Sequence, residues 1–185
     1  MEKSSKTVAF IGIMGALVFV VLFLETYVFG VLIPIAPPCF LSISVAITIS
    51  LFKGKKTMFI GGTILGICSL IIAFIIGNPA FIFPWISVLP RVFIGVVAYY
   101  VSVLIRRFTF NSQKVFVKDY LPYVIGAVFG VITNTVLTLS SLLIFKFIGI
   151  ETVVATFIAI NFPLEVVLSA ILVPILINAV NKVRW

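Results

Sequence analysis

Residues 78–95 read NPAFIFPWISVLPRVFIG, and this stretch places one arginine, Arg91, inside an otherwise apolar run. An arginine near the centre of a membrane helix costs about 3 kcal/mol on insertion scales, so it either serves a function or reaches the interface with its long side chain. If the helix starts at Trp85, Arg91 lies about 9 Å along it, which suits a pocket open to one side of a membrane. Pro90 removes a hydrogen bond from this helix and frees a carbonyl about one turn earlier. We therefore predict a polar patch at Ser87 and Arg91 that takes water or a ligand.

The composition of the whole chain indicates a membrane protein. Of the 185 residues, 63% are hydrophobic and 10% are charged, and the mean hydropathy of +1.37 is far above that of soluble domains. The length suits a single domain, residues 1–185. The net charge of +8 comes from short runs of Lys and Arg between apolar segments, a pattern that reports membrane topology and not nucleic-acid binding.

Residue usage also argues against several kinds of site. The sequence has no histidine, and Cys39 and Cys68 lack C-x-x-C spacing, so we expect no metal site, no catalytic histidine and no disulfide. We expect both cysteines to be packing residues. Residues 53–57, KGKKT, lack the upstream glycine of a phosphate-binding loop, so we expect no nucleotide site in this chain.

Apolar runs of about 20 residues, the length that a membrane span requires, predict a compact all-α bundle of six transmembrane helices. The runs cover residues 7–24, 41–52 with an extension back into 28–40, 57–76, 85–105, 121–145 and 152–180. When the N-terminus is placed inside, all of the 13 basic residues except Arg91 and Lys146 fall at the cytoplasmic helix ends. The positive-inside rule therefore predicts that both termini are cytoplasmic.

The first two predicted helices are joined by residues 25–40, ETYVFGVLIPIAPPCF, which contain three prolines and one glycine. These residues forbid a continuous helix, yet the segment is too apolar for an ordinary solvated loop. We predict that it folds back over the bundle and covers a site. The alternative is an apolar loop that packs against the bundle and the lipid headgroups.

Small residues spaced four apart allow helices to approach closely. Such pairs occur on three helices, at Gly12 and Ala16, at Gly62 and Gly66, and at Gly126 and Gly130. Each pair is most often internal packing of a bundle. The first helix, which also has Gly15, is the best candidate for a surface that docks onto a partner protein.

Three polar residues, Asn134, Asn161 and Glu165, fall within the fifth and sixth spans. Uncompensated polar groups at such depths are costly, so these side chains should face the interior. The asparagines either bond neighbouring helices or bind a ligand. Counted from residue 152, Glu165 lies about 20 Å into its helix, well below Arg91. A direct pair of the two requires the sixth helix to begin later, and this alternative stays open.

Six spans in 185 residues, a small-residue first helix, a proline-rich outer segment and the run ISVLPRVFIG at residues 86–95 resemble one family. They are similar to the substrate-binding S-components of bacterial energy-coupling factor (ECF) vitamin transporters. The most specific piece, Asn78-Pro79 followed by SVLPR at residues 87–91, looks like the pantothenate-type branch. The resemblance implies a non-catalytic subunit in the bacterial cell membrane that captures a vitamin from outside. It also implies a membrane coupling subunit and two cytoplasmic ATPases as partners, which use the ATP, so that this chain itself holds no cofactor.

The chemistry of the expected site, which is cationic with amide and hydroxyl neighbours, predicts roles for individual residues toward such a ligand. Arg91 would pair with a ligand carboxylate, and Asn134 and Asn161 would bond its hydroxyl or amide groups. The apolar part of the ligand would be covered by aromatic residues. The remaining members of the expected site are Asn78, Phe81, Phe83, Trp85, Ser87 and Glu165. Gly12, Gly15 and Ala16 resemble the alanine-rich first-helix motif that docks onto the coupling subunit, with glycine at the first position here.

Pantothenate, with one carboxylate, an amide and two hydroxyls, fits this set of residues. Folate, riboflavin and hydroxymethylpyrimidine remain alternatives, although flat aromatic vitamins require more stacking residues. A membrane enzyme that uses Arg91 and Glu165 is a rival class. Such an enzyme would lack an evident general acid/base pair, since Glu25, Glu151 and Glu165 show no paired spacing. An assembly subunit is a third class.

Overall fold

The computed structural model describes residues 2–29, 39–110, 113–114, 116–147, 149 and 161–182. Regular secondary structure in these residues is entirely helical. The helices are α1 (Glu2–Phe29), α2 (Phe40–Phe52), α3 (Ile60–Ile76), α4 (Pro84–Ser87), α5 (Leu89–Thr109), α6 (Leu121–Ile144) and α7 (Phe162–Lys182), with a 3₁₀ turn at Gly54–Lys56 and a π-helical turn at Phe116–Tyr120.

Five helical segments in the described residues are long and apolar enough to cross a membrane. They are Ser5–Val28, Gly54–Ile76, Pro84–Thr109, Phe116–Ile144 and Phe162–Lys182. By length and composition the chain is therefore a multi-pass membrane protein, and the expectation of an all-helical membrane fold is confirmed. The number of spans and the direction of the termini stay predictions.

The shorter helix α2 occupies the centre of the bundle. All of its 13 residues except Leu41 and Phe52 are buried, and it contacts α1, α3, α5, α6 and α7. Three of its four buried hydroxyl groups are satisfied within the helix, because Ser44, Thr48 and Ser50 each donate to the carbonyl four residues earlier at 2.9–3.0 Å. The proposed extension of this span into residues 30–38, together with the covering segment expected there, lies outside the described residues.

Glycines set the closest approaches between helices. A Cβ at Gly62 would collide with the backbone carbonyl of Arg91, and a Cβ at Gly66 would lie 2.8 Å from the Cα of Val88. Helix α3 therefore packs directly on the break between α4 and α5. Gly126 brings α6 against α5 in the same way, so these small-residue faces serve internal packing.

The small residues of α1 divide between two faces. Gly12 and Ala16 are exposed, and a Cβ built on Gly12 meets no atom of the described residues within 4 Å. Gly15 faces the side chain of Ile64 on α3, which a Cβ would meet at 3.5 Å. Two of the three residues expected in a docking face are therefore available at the surface, and Gly15 packs inward.

Glu25 belongs to α1 and not to the connection after it, because the helix continues to Phe29. The buried carboxylate accepts hydrogen bonds from the backbone N–H groups of Leu41 and Ser42, at 2.5 and 3.3 Å, and from the Ser42 hydroxyl at 2.6 Å. The first N–H groups of a helix have no partner within it. Glu25 therefore caps α2 and joins it to the end of α1.

Candidate functional site

The break between α4 and α5 positions Arg91. Helix α4 ends at Ser87 and α5 begins at Leu89, which places Pro90 in the first turn of α5, where its missing N–H has no helical partner to lose. The Nη1 group of Arg91 donates to the Ser87 carbonyl at 2.5 Å, and the Ser87 hydroxyl donates to the Phe81 carbonyl. The guanidinium carbon lies 5.5 Å from the centroid of the Phe81 ring. The polar patch at Ser87 and Arg91 is therefore present.

Arg91 is 5% exposed and borders a small internal cavity of about 30 Å³. This volume accommodates about one or two water molecules, whereas a ligand of vitamin size occupies a pocket of several hundred Å³. Binding of such a ligand therefore requires the walls to separate. The cavity is lined by Cys39, Phe81, Arg91, Asn134, Thr135, Thr138, Leu139, Asn161 and Glu165.

Glu165 reaches this cavity from the first turn of α7. The sequence left open whether Glu165 lies well below Arg91 or close enough to pair with it. Both residues line the same cavity, and Glu165 lies in the first turn of the described helix Phe162–Lys182. Residues 151–160 lie outside the described residues. Arg91 and Glu165 thus line one cavity, but each has its hydrogen bond with another residue. Arg91 donates to the Ser87 carbonyl, and Glu165 accepts from the Cys39 thiol.

The Cys39 thiol connects α6 and α7 beside the start of α2. Its Sγ donates to Oε1 of Glu165 at 3.4 Å, and Nδ2 of Asn134 lies 3.9 Å from the same sulfur as a donor. Both Cys39 and Cys68 are free and buried in the apolar core, so the expectation that they are packing residues is confirmed. Cys39 has a polar role in addition to packing, because it holds the Glu165 carboxylate in place.

Three buried polar atoms at the cavity have no hydrogen-bond partner among the described residues. They are Nε of Arg91, Oδ1 of Asn134 and Oγ1 of Thr138, on side chains that are 5%, 5% and 6% exposed. Leaving a buried polar group unpaired costs about 1–3 kcal/mol, and such groups in native proteins nearly always have a partner. The cavity thus offers one donor, one acceptor and one hydroxyl to a ligand or to water.

Some of the expected site residues lie away from the cavity. Asn78 shapes the turn after α3, where its Oδ1 accepts from the backbone N–H of Ala80 at 3.2 Å. Phe83 and Trp85 are 36% and 45% exposed, and their rings stack at 5.2 Å. Their other ring contacts are to Phe147 and Phe145 at 5.6 and 6.0 Å.

The structure therefore divides the expected site into three groups. Phe81, Arg91, Asn134, Asn161 and Glu165 are brought together around one cavity. Ser87 is not among the residues that line the cavity, but its carbonyl accepts the hydrogen bond of Arg91. Asn78, Phe83 and Trp85 belong to the surface at the same end of the bundle, and their part in binding stays a prediction.

Sequence reasoning missed Cys39 and Thr138. Thr138 follows Asn134 by four residues on α6, and residues with this spacing share a helix face, so the same reasoning that selected Asn134 should have included it. Cys39 carried no such signal. Its contacts depend on how the chain returns from α1 into α2, which the sequence pattern does not specify.

The cavity can hold an anionic group at Arg91 and a hydrogen-bond donor at Glu165, with the amide and hydroxyl groups of Asn134 and Thr138 between them. Among the described residues, no group of three His, Cys, Asp or Glu side chains is arranged to hold a metal ion. This chemistry favours binding of a small polar molecule. No protein family, curated protein or solved structure matches the chain.

Proposed function

We propose that the chain is the substrate-capture subunit of an ECF-type vitamin importer, a non-enzymatic S-component in a bacterial cell membrane with both termini in the cytoplasm. The observation that carries the proposal is the buried cavity at which Arg91 meets the unpartnered polar atoms of Asn134 and Thr138. A buried arginine on a membrane helix is a ligand or partner site by default. Its remaining donors match the geometry of a carboxylate.

The ligand class follows from the two charges at the cavity. Arg91 would pair with a carboxylate of the ligand, and Glu165 would accept a hydrogen bond from a donor near that carboxylate. Pantothenate supplies both, since it has one carboxylate together with an amide and two hydroxyls. The Phe81 ring is already covered by the guanidinium of Arg91 at 5.5 Å, which leaves little aromatic surface for stacking a flat vitamin such as riboflavin or folate.

Binding of pantothenate is expected to raise the melting temperature of the detergent-purified chain without ATP. A ligand that binds only the native state stabilises it by about 2.7 kcal/mol at a concentration 100 times its Kd. The measurement is a thermal-unfolding screen with pantothenate, riboflavin, folate and hydroxymethylpyrimidine. Pantothenol, in which an alcohol replaces the carboxylate, is the matched control ligand and should stabilise the chain much less.

The screen also separates the rival classes of protein. A shift with another vitamin and none with pantothenate would reassign the ligand and keep the class. The absence of any shift, together with turnover of a lipid substrate by the isolated chain, would contradict the proposal in favour of a membrane enzyme.

We also propose that α1 docks onto the membrane coupling subunit through Gly12 and Ala16, and that two cytoplasmic ATPases complete the transporter. Gly12→Leu is expected to abolish co-purification with the coupling subunit, because the added side chain occupies the surface where the partner helix must approach. Vitamin binding should not change, since a Cβ on Gly12 meets no atom of the described residues within 4 Å.

Ser140→Leu is the matched control for the docking experiment. It adds the same side chain at an exposed small residue on α6, away from the α1 face. Loss of the complex in both variants, or in neither, would refute docking through α1.

A further inference from the structure

A second and larger cavity, of about 470 Å³, lies at the other end of the bundle. Arg106, one of its lining residues, follows Arg91 by 15 positions on α5, which is about 22 Å along the helix. The cavity is open to the outside on one side and is bordered by the end of α5, the π-helical turn Phe116–Tyr120, the start of α6 and the C-terminal half of α7. Its volume lies in the range of sites that hold small organic groups.

Several polar groups of this cavity are placed to donate hydrogen bonds to a ligand. Nη2 of Arg106 donates to the Tyr123 hydroxyl at 2.7 Å, and Nδ2 of Asn178 donates to the Tyr120 hydroxyl at 3.0 Å. Each phenol oxygen is thus an acceptor inside the protein, and each phenol proton remains for another acceptor. With the remaining N–H groups of Arg106 and the ammonium of Lys118, the lining can donate at least four hydrogen bonds.

The two cations of the lining lie against rings. The guanidinium carbon of Arg106 is 5.1 Å from the Tyr123 centroid, and Nζ of Lys118 is 5.8 Å from the Phe110 centroid. Asp119 is the one carboxylate of the lining in the described part of the chain. The side chains of the lining therefore carry one more positive than negative charge, and the ligand that fits is an anion with many acceptor oxygens.

The position of the cavity points to the depth of lipid headgroups. Tyr120 and Tyr123 line the cavity, and tyrosine is enriched at the membrane interface, where its amphipathic ring sits at the headgroup level. Other basic residues belong to the same end of the bundle, namely Lys53, Lys55, Lys56, Arg107 and Lys182. Basic pockets between membrane helices at this level bind the headgroups of anionic lipids.

We propose that this cavity binds the phosphodiester headgroup of an anionic phospholipid. The phosphate oxygens accept from Arg106, Lys118 and the two phenols, and the Asp119 carboxylate accepts from a headgroup hydroxyl, as in phosphatidylglycerol. The site is separate from the Arg91 cavity, so the proposal does not depend on the identity of the imported ligand.

The test measures lipid retention by the full-length chain in detergent, by native mass spectrometry, with phosphatidylglycerol and phosphatidylcholine of the same acyl chains. The wild-type chain is expected to prefer phosphatidylglycerol. Arg106→Gln combined with Lys118→Gln should lower that affinity by about tenfold or more, since each cation near the surface contributes to anionic lipid binding. Tyr120→Phe keeps the ring and removes one donor, and is expected to lower the affinity less.

The matched control is Lys56→Gln combined with Arg107→Gln, which removes the same charge from exposed residues at the same end of the bundle. An equal loss in this control, or equal affinity of the wild type for phosphatidylcholine, would overturn the site and leave only general electrostatic attraction. A third arm uses soluble glycerol phosphate. Binding of this compound as strong as that of the lipid would overturn the lipid assignment in favour of a soluble phosphate ester.

Discussion

Replacement of Arg91 by alanine is expected to lower the affinity for pantothenate by about 100-fold or more. Removing one partner of a buried, hydrogen-bonded charge pair typically costs 2–5 kcal/mol of binding, much of it from the other charge that is left unpaired. Arg91 is the cation of the cavity, and its Nε has no partner among the described residues. The ligand carboxylate therefore loses its main counter-charge, which equilibrium binding of labelled vitamin measures directly.

Two further variants make this result interpretable. Arg91→Lys keeps a positive charge but loses the planar fork that binds a carboxylate through two bonds, so we expect an intermediate affinity. Arg107→Ala removes an exposed arginine from the far end of α5 and should leave binding unchanged. A folded Arg91→Ala protein with wild-type affinity would show that the vitamin does not bind at this cavity.

Glu25→Ala is expected to lower the free energy of unfolding by about 2–4 kcal/mol. The substitution leaves two backbone N–H groups of α2 and the Ser42 hydroxyl without their acceptor. Hydrogen bonds to charged groups contribute about 1.5–3 kcal/mol each, and a lost N-cap costs about 0.5–2 kcal/mol. Thermal unfolding of the ligand-free protein in detergent is the measurement.

Glu25→Gln retains one acceptor oxygen and should recover part of the loss. The control is Asp119→Ala, an exposed carboxylate near the start of α6, which is expected to change the stability by less than about 0.5 kcal/mol. If Glu25→Ala unfolds at the wild-type temperature, the junction of α1 and α2 is held by apolar packing and not by this carboxylate.

The helices themselves could be predicted, because the length of an apolar run and the charges at its ends are properties of one segment of the sequence. Lys53, Arg106 and Lys182 lie at or next to the ends of helices, as expected from the cost of burying a charge in lipid. The sequence placed Pro90 inside one helix, whereas it lies in the first turn of α5, a position where a proline has no helical hydrogen bond to lose. The depth of Glu165 could not be decided from the sequence, because an apolar run does not show where its helix begins.

The candidate site could be predicted only in part, because its contacts join separate helices. Arg91 and Asn134 were found because a buried polar side chain is costly wherever it lies. The contact from Cys39 to Glu165 spans 126 positions in the sequence, and a thiol beside apolar residues gives no sign of its partner. The role of Trp85 stays a prediction, because aromatic residues serve equally well at interfaces and in pockets.

The central place of α2 has a consequence for how the protein enters the membrane. Its 13 residues extend over about 20 Å, which is shorter than the hydrocarbon layer of about 30 Å. A spanning helix requires about 20 apolar residues, and the described part of α2 falls short of that length. We expect α2 to insert together with α1, because the Glu25 carboxylate of α1 holds the first N–H groups of α2.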